Sequence, residues 1–315
     1  MNQPVRIAIV GAGNVGATFA YSVILSGLAS EIVLIDADHA RAEGQAMDLD
    51  QAVPFNQSAR VWAGTYADCK DALVTMVSAG ANQKPGETRL DLLKRNVAVF
   101  RSVISEIAAV NHEGIILVAT NPVDVLTYAA YKISGLSRRR VFGSGTILDT
   151  ARFRTLLADH FDVDARSLHA HIIGEHGDSE VPVWSLANIA GVRLTDLGGE
   201  GWSRYEREAM EEIFRKTRDA AYHIIERKGA TCYAVASGLL RIVEAIVRDQ
   251  STVLSVSSLL TGQYNLSNVC LSLPSVINRR GVARVLELDL DDKEREKLAH
   301  SASVLSANIA ELGLG

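Results

Sequence analysis

The sequence has little cysteine, no long apolar run and no excess of positive charge. Three cysteines occur in 315 residues, far apart, and an odd number at such spacing predicts neither a disulfide framework nor a cysteine-bound metal. No apolar run is long enough to span a bilayer. The formal net charge is −5, with no basic arm or stripe, which argues against a nucleic-acid-binding protein.

The composition is that of a globular protein large enough for two domains. Hydrophobic residues make up 48% of the chain and charged residues 22%. Residues 1–4 lead directly into an apolar strand and leave no room for a signal peptide, so we expect a cytoplasmic protein. The sequence contains no internal repeat, low-complexity segment or flexible linker.

The first 36 residues have the pattern of a dinucleotide-binding unit. An apolar run from Val5 to Val10 precedes Gly11-Ala-Gly-Asn-Val-Gly16, which opens a helix-compatible stretch, and the next apolar run ends at Asp36. Glycines at this spacing let the backbone approach a pyrophosphate, and a carboxylate at that distance binds a ribose diol. Because a carboxylate would repel a 2′-phosphate, the pattern predicts NAD rather than NADP. The alternative is a glycine turn that serves only strand–helix packing, which the complete strand–helix–strand unit disfavours.

Strand and helix patterns alternate up to about residue 145 and then stop alternating. The apolar runs at 72–77 and 115–119 are typical of strands buried on both faces of a parallel sheet. Beyond residue 145, long helices and alternating strands of antiparallel type follow. We therefore predict an α/β fold: a doubly wound parallel sheet of Rossmann type at residues 1–145, then an α+β substrate domain at residues 146–315.

A polar, glycine-containing loop precedes the long helix that is predicted to begin at Thr88. Residues 78–87 are more than a strand–helix connection needs, so this loop is a candidate lid beside the cofactor. Arg89 lies where the loop meets the helix. A positive charge in the first turn opposes the helix dipole, which favours a functional role for Arg89 over that of a solvated surface charge.

His176 lies between two glycines, after an apolar run that ends at Gly174. Small neighbours at a strand end leave room for a ligand, and histidine can give and take a proton near neutral pH. The plain alternative is a solvated loop histidine. A zinc site is disfavoured, because His169, His171 and His176 lack the helical ligand spacing and no Cys-x-x-Cys pair is near. We predict no metal.

Three further polar residues occupy positions typical of a binding site. Asn121 follows a predicted buried strand, and open α/β sheets bind ligands at the carboxyl ends of their strands. Asp149 and Arg152 are three positions apart on a predicted helix and share one of its faces. The alternatives are a helix-capping pattern of Thr146 with Asp149, and a surface ion pair between Asp149 and Arg152 that contributes little.

With these motifs, the chain resembles the bacterial L-lactate dehydrogenases of the lactate/malate dehydrogenase superfamily. The resemblance runs from the first strand to the last helix and rests on Gly11-Ala-Gly-Asn-Val-Gly16, Ala79-Gly-Ala-Asn-Gln-Lys-Pro-Gly-Glu-Thr-Arg89, Thr120-Asn-Pro-Val-Asp124, Leu148-Asp-Thr-Ala-Arg152 and Ile173-Gly-Glu-His-Gly-Asp178. It implies reversible NADH-dependent reduction of pyruvate to L-lactate, and usually a homotetramer.

The resemblance also implies roles for individual residues. His176 would be the proton donor and acceptor, Asp149 would hold it, Arg152 would bind the substrate carboxylate, and Arg89 would polarise the carbonyl. The residues implied to act in catalysis or to line the substrate pocket are Gln83, Arg89, Asn121, Asp149, Arg152, His176 and Thr231. Those implied to lie along NAD are Gly11, Gly13, Val15, Gly16, Asp36, Arg41, Tyr66, Gly80, Ala81, Ser102, Asn121 and Ser144.

Arg154 and His169 match a regulatory pair in the enzymes that the chain resembles. That pair binds fructose 1,6-bisphosphate between subunits, so the resemblance implies an activator site. Two positions beyond Arg152 on a helix, Arg154 points to a different face, away from the substrate. The alternative is an exposed arginine and an exposed strand histidine without a ligand.

Three other functions are alternatives to pyruvate reduction. A malate dehydrogenase of the same superfamily would be expected to have an arginine at Gln83, because a second substrate carboxylate facing a neutral amide lacks a counter-charge. Lys84, the residue after Gln83, is a neighbouring cation that could supply this counter-charge. A related 2-hydroxy acid dehydrogenase with branched substrates is a further alternative. A catalytically idle nucleotide-binding protein would need the glycine turn but not His176 together with Asp149, Arg89 and Arg152.

Overall fold

The computed structural model describes residues 4–81, 86, 88–198 and 203–314. Gln83 lies outside the described part of the chain. For Arg89 the structure describes the backbone but not the side chain. Within that part, no helix combines the length and the apolar character that crossing a membrane requires.

The first half of the chain alternates strands and helices as predicted. The elements are β1 (Arg6–Val10), α1 (Asn14–Ser26), β2 (Glu31–Ile35), α2 (His39–Ala52), β3 (Arg60–Ala63), β4 (Ala72–Val77), α3 (Arg89–Val110), β5 (Ile115–Val118), α4 (Val123–Ser134) and β6 (Val141–Gly143). The strands are short and almost wholly buried, because helices cover both faces of the sheet.

The second half contains longer helices and shorter or antiparallel strands. They are α5 (Ile147–Phe161), β7 (Leu168–His169), β8 (Ile172–Ile173), β9 (Val181–Pro182), β10 (Asn188–Ile189), β11 (Val192–Arg193), α6 (Arg207–Lys228), α7 (Tyr233–Val247), β12 (Thr252–Thr261), β13 (Ser267–Asn278), β14 (Gly281–Val285) and α8 (Asp292–Glu311). The apolar run that ends at Gly174 contains two strands, because β7 pairs with β10 whereas β8 pairs with β9.

One nine-stranded sheet passes through most of the molecule, in the order β14-β13-β12-β6-β5-β4-β1-β2-β3. The six strands from β6 to β3 are parallel, and their order reverses direction between β1 and β4. The predicted doubly wound parallel sheet is confirmed, and the reversal between β1 and β4 is where such sheets bind ligands. The antiparallel strands β12–β14, expected in a separate unit, extend this sheet at the β6 edge, where Ser257 pairs with Gly143.

Within the described residues, apolar side chains pack in three clusters. Two cover the opposite faces of the large sheet, with Phe100 and Tyr128 on one side and Phe19 and Phe142 on the other. The third cluster lies between α5, α6 and the short strands and includes Phe153. The site residues on α5 therefore project from a helix that is fixed by its own buried face.

Candidate active site

The glycines of the turn after β1 serve two different purposes: two of them are required by packing, and the third leaves space for a ligand. A Cβ atom at Gly11, where φ is +108°, would lie 2.6 Å from the Ala79 nitrogen, and one at Gly16 would lie 1.9 Å from the Gly11 oxygen. Packing alone therefore requires these two glycines. At Gly13, which caps the N-terminus of α1, no described atom lies within 4 Å of the Cβ position. Gly13 leaves the helix N-terminus open to an anion, as a pyrophosphate site needs.

Asp36 lies beside this turn at the end of β2. Its Oδ2 atom accepts a hydrogen bond from the Ala12 backbone N–H at 2.7 Å, and its Oδ1 atom accepts one from the Asp38 N–H at 2.9 Å. Arg41 Nη1 is 3.9 Å from Asp36 Oδ1. The two backbone bonds fix the carboxylate next to the glycine turn, in the position where an NAD ribose diol would be bound.

The other residues predicted to contact NAD lie mainly at the same edge of the sheet. Gly80 follows β4, and a Cβ there would lie 2.6 Å from Thr120 Cγ2, so packing disfavours any side chain at this position. The Ala81 N–H donates to Asn96 Oδ1 at 2.8 Å, and Ser144 directly follows β6. Val15 is in the first turn of α1, and half-buried Tyr66 begins a 3-10 helix after β3. Ser102 is exposed on α3.

His176 and Asp149 form the central pair of the site. The ring atom Nδ1 of His176 lies 2.5 Å from Asp149 Oδ2, and the exposed fractions of the two side chains are 24% and 4%. Burial lowers the pKa of His176, but the charge and hydrogen bond of Asp149, with smaller contributions from Asp124 and Glu180, raise this pKa to about 9. Burial acts to raise the pKa of Asp149, whereas His176 and Arg152 together hold it below its usual value. The pair therefore favours an imidazolium beside a carboxylate.

Arg152 shares the Asp149 carboxylate with His176. Its Nη1 atom donates to Asp149 Oδ1 at 3.1 Å, and 13% of its side chain is exposed. The hydroxyl of Thr146 does not cap α5, because it donates to the Ile172 carbonyl at 2.6 Å. Asp149 is thus a partner of two cationic groups, and the ion pair is buried rather than on the surface.

Two further contacts hold the His176 loop, and neither follows from a sequence pattern. The His176 backbone N–H donates to Oδ2 of Asp124 at 2.8 Å, and burial raises the pKa of Asp124 to about 6. The Glu175 N–H donates to Ser301 Oγ on α8 at 2.7 Å. Asp124 is the last residue of the motif Thr120-Asn-Pro-Val-Asp124, and its place in that motif is the one sequence signal that could have indicated a functional role.

The remaining substrate residues are placed as follows. Asn121 is exposed after β5, and Thr231 is half-buried in the break between α6 and α7. Arg89 begins α3, and Gln83 lies outside the described residues. Among the described residues, no group of three or more histidine, cysteine, aspartate or glutamate side chains has an arrangement that could bind a metal.

Arg154 and His169, the predicted activator pair, lie near each other on a face separate from the Asp149 carboxylate. Arg154 Nε donates to the Ala170 carbonyl at 2.8 Å, and burial lowers the pKa of Arg154. His169 is exposed on β7. Burial lowers the pKa of His171 to about 4, and Arg154 and His169 both act in the same direction. Arg154 and His169 therefore both lie near His171, which is neutral at pH 7.

The geometry combines three chemical capacities at the carboxyl edge of the sheet. The turn at Gly13 and the Asp36 carboxylate fit a dinucleotide, His176 can transfer a proton, and Arg152 can bind a carboxylate. Hydride transfer to a ketone beside a carboxylate needs each of these groups.

Comparisons with known proteins define the family. The model of the lactate/malate dehydrogenase NAD binding domain matches residues 5–143, and that of the lactate/malate dehydrogenase alpha/beta C-terminal domain matches residues 146–313. The chain belongs to the lactate/malate dehydrogenase family, which confirms the resemblance seen in its motifs.

Several relatives are similar over nearly their whole length. The L-lactate dehydrogenase of Priestia megaterium is 51% identical over 300 residues, 95% of this chain and 94% of that protein. The L-lactate dehydrogenase of Acetivibrio thermocellus is 50% identical over 309 residues, 98% of both chains. Among solved structures, a lactate dehydrogenase from a Medee basin deep-sea metagenome library has a TM-score of 0.95 at 42% identity, covering 99% of both chains. The minor L-lactate dehydrogenase of Enterococcus mundtii, in its ligands-bound form, has a TM-score of 0.94 at 40% identity, covering 98% of both chains.

Proposed function

We propose that this protein catalyses the reversible, NADH-dependent reduction of pyruvate to L-lactate. The observation that carries the proposal is the shared carboxylate of Asp149, which accepts from the His176 ring and from the Arg152 guanidinium. A proton donor next to a carboxylate-binding cation suits a carbonyl that is adjacent to a carboxylate. The relatives that are 50% and 51% identical are named L-lactate dehydrogenases, which does not favour malate dehydrogenase.

His176 is the proposed proton donor in reduction and the acceptor in oxidation. Because Asp149 accepts from Nδ1, the Nε2 atom is left for the substrate oxygen. NADH, when bound, supplies the hydride. The alkoxide oxygen takes the Nε2 proton, and Asp149 keeps the neutral ring in the same orientation. Lactate oxidation reverses the proton transfer.

Arg152 is the proposed substrate clamp. A planar guanidinium can bind a carboxylate with two parallel hydrogen bonds, and this fixes which face of the carbonyl meets the cofactor. We assign Arg89 to polarisation of the carbonyl, and Asn121, Gln83 and Thr231 to the pocket around the substrate. The neutral Gln83 is the residue that we expect to favour pyruvate over oxaloacetate.

The dinucleotide is proposed to bind along the carboxyl edge of the sheet, in a domain of residues 1–145 that precedes a substrate domain of residues 146–315. The two family models, which meet between residues 143 and 146, support this division. The open Gly13 position and the fixed Asp36 carboxylate support NAD as the cofactor. The residues assigned to it are Gly11, Gly13, Val15, Gly16, Asp36, Arg41, Tyr66, Gly80, Ala81, Ser102, Asn121 and Ser144.

We also propose a regulated cytoplasmic homotetramer that acts in glycolysis and fermentation. Arg154 and His169 are assigned to a fructose 1,6-bisphosphate site between subunits. The proximity of Arg154 and His169, which both act on the buried His171, supports this, because two such pairs across a two-fold axis would attract a bisphosphate.

An NADH-oxidation assay with pyruvate, oxaloacetate and a branched 2-oxo acid tests the reaction. We expect the highest kcat/KM with pyruvate. A higher kcat/KM with oxaloacetate would assign the protein to malate dehydrogenase chemistry. If no 2-oxo acid is reduced although NADH binds, the protein is a nucleotide-binding protein without this activity.

A further inference from the structure

Glu180 is a buried carboxyl group that the proposed reaction does not use. It lies four residues after His176, directly before β9, and 7% of the residue is exposed. Its Oε1 atom is buried and has no hydrogen-bond partner within the part of the chain that the structure describes. Buried polar atoms without partners are uncommon in folded proteins, and carboxyl groups in such surroundings occur at functional sites.

Four charged groups on α5, on α6 and in the His176 loop lie close enough to Glu180 to act on its charge. They are Asp149 and Arg152 on α5, Arg218 on α6, and His176 itself. Burial raises the pKa of Glu180 to about 8 and Asp149 adds to the rise, whereas the three cationic groups oppose it. Glu180 is therefore mostly protonated at pH 7 and becomes a carboxylate in the alkaline range.

We propose that Glu180, whose buried carboxyl group belongs to the same cluster as His176, Asp149 and Arg152, is a second acidic partner of His176 and helps to hold the proton on the imidazole. The inference rests on the proposed role of His176 as proton donor. Glu180 acts through His176 and is a positioning residue. Asp149 stabilises the imidazolium throughout the neutral range, and Glu180 would extend that stabilisation to higher pH.

The direction of the effect follows from reciprocity between two titrating groups. The imidazolium acts to lower the pKa of Glu180, and the Glu180 carboxylate acts to raise the pKa of His176. The protonation of each group therefore depends on the charge of the other group. A contrary role is also testable: if the Glu180 carboxylate mainly competed with the substrate carboxylate for Arg152, its ionisation would weaken pyruvate binding at high pH.

The substitution Glu180→Gln separates these roles, because the amide imitates the protonated acid. We expect kcat/KM for pyruvate at pH 6.5 to stay within about twofold of the parent value. We expect the alkaline limb of the kcat/KM profile to move to lower pH by about 0.5–1 unit. A limb that stays in place, or moves to higher pH, would overturn the inference. A uniform loss of activity with an unchanged profile would identify a merely structural residue.

A histidine NMR titration of the holoenzyme reads the same effect without turnover. The His176 signal, assigned by its loss in His176→Asn, should titrate at lower pH in Glu180→Gln and near its parent position in Glu180→Asp. The exposed Glu211, which pairs with Arg207, provides the matched control, and Glu211→Gln should leave the titration unchanged. If His176 is not the proton donor, the proposed function fails in the His176→Asn assay, whereas this titration still tests the coupling.

The unsubstituted protein gives an independent measurement in case Glu180→Gln does not fold. With glutamate labelled at the side-chain carboxyl carbon, one signal should titrate near pH 8, and the His176 signal should respond in the same range. The inference is wrong if every glutamate carboxyl signal titrates below pH 6.

Discussion

The backbone N–H of His176 donates to Asp124 Oδ2, while the His176 ring donates to Asp149 Oδ2. Asp124 lies on α4 and Asp149 on α5, so two helices hold one histidine by its backbone and by its side chain. The loop around His176 contains two glycines, and these two carboxylates give it the fixed position that proton transfer requires.

The substitution His176→Asn tests the proton donor. We expect NADH binding to change little and turnover of pyruvate to fall by about two to four orders of magnitude, because the amide cannot supply the proton. Fluorescence titration with NADH and steady-state assays measure the two effects. His112→Asn, at an exposed histidine after α3, should leave both unchanged. Near-normal turnover in His176→Asn would remove the assignment.

The direction of catalysis should depend on pH through His176. Its pKa is raised to about 9, so the imidazolium that pyruvate reduction needs is present below that pH and is lost above it. We expect kcat/KM for pyruvate to fall, and kcat/KM for lactate to rise, as pH increases through this range.

Removing the carboxylate should shift both pH profiles to lower pH. In Asp149→Asn, burial still lowers the pKa of His176 but its main counter-charge is gone. We expect the alkaline limb of pyruvate reduction to move down by more than about one pH unit, with a large loss of kcat. Unmoved limbs in this variant would show that another group governs the profile.

Substrate choice should respond to charge at Gln83. We expect Gln83→Arg to shift the ratio of kcat/KM values from pyruvate towards oxaloacetate by about tenfold or more, because the new cation pairs with the second carboxylate and stays unpaired with pyruvate. The ratio is measured by NADH oxidation with each substrate. Gln83→Asn is the neutral control and should retain the pyruvate preference. An unchanged ratio in Gln83→Arg would mean that specificity is read elsewhere.

Regulation should depend on Arg154 and His169. We expect fructose 1,6-bisphosphate to lower the KM for pyruvate and to favour the tetramer, by binding one quaternary state more tightly. The double variant Arg154→Gln with His169→Ala should lose this response but keep its rate at saturating pyruvate. Assays at low pyruvate and analytical ultracentrifugation measure both effects. A parent enzyme that ignores the bisphosphate in both measurements would contradict the proposal.

Local patterns predicted the features that depend on neighbouring residues. The unit from β1 to Asp36 follows from apolar runs, glycine spacing and one terminal acid, and the contact of Arg152 with Asp149 follows from helical spacing. These relationships involve residues on one element or on consecutive elements, so the spacing of residues along the sequence is enough to predict them.

Contacts between distant segments were beyond the sequence patterns. Nothing near Asp124 indicates that its carboxylate accepts from the His176 N–H, and the residues next to Glu180 do not reveal that its carboxyl group lies near Asp149. The residues at Thr146 fit a helix-capping pattern, but the Thr146 hydroxyl donates instead to the carbonyl of Ile172, which lies in another segment. In each case the partner is chosen by tertiary packing, which a linear pattern does not record.

The continuous sheet has a consequence for biosynthesis. The ribosome synthesises β1–β6 first. The edge of β6 then stays unpaired until β12 has been made, and β12 begins only at Thr252. An unpaired edge can join another chain, so nascent chains are exposed to misassociation during this interval. Ser301 on α8 emerges later still, and until then the His176 loop lacks this support. Catalytic competence should therefore be one of the last properties that a growing chain acquires.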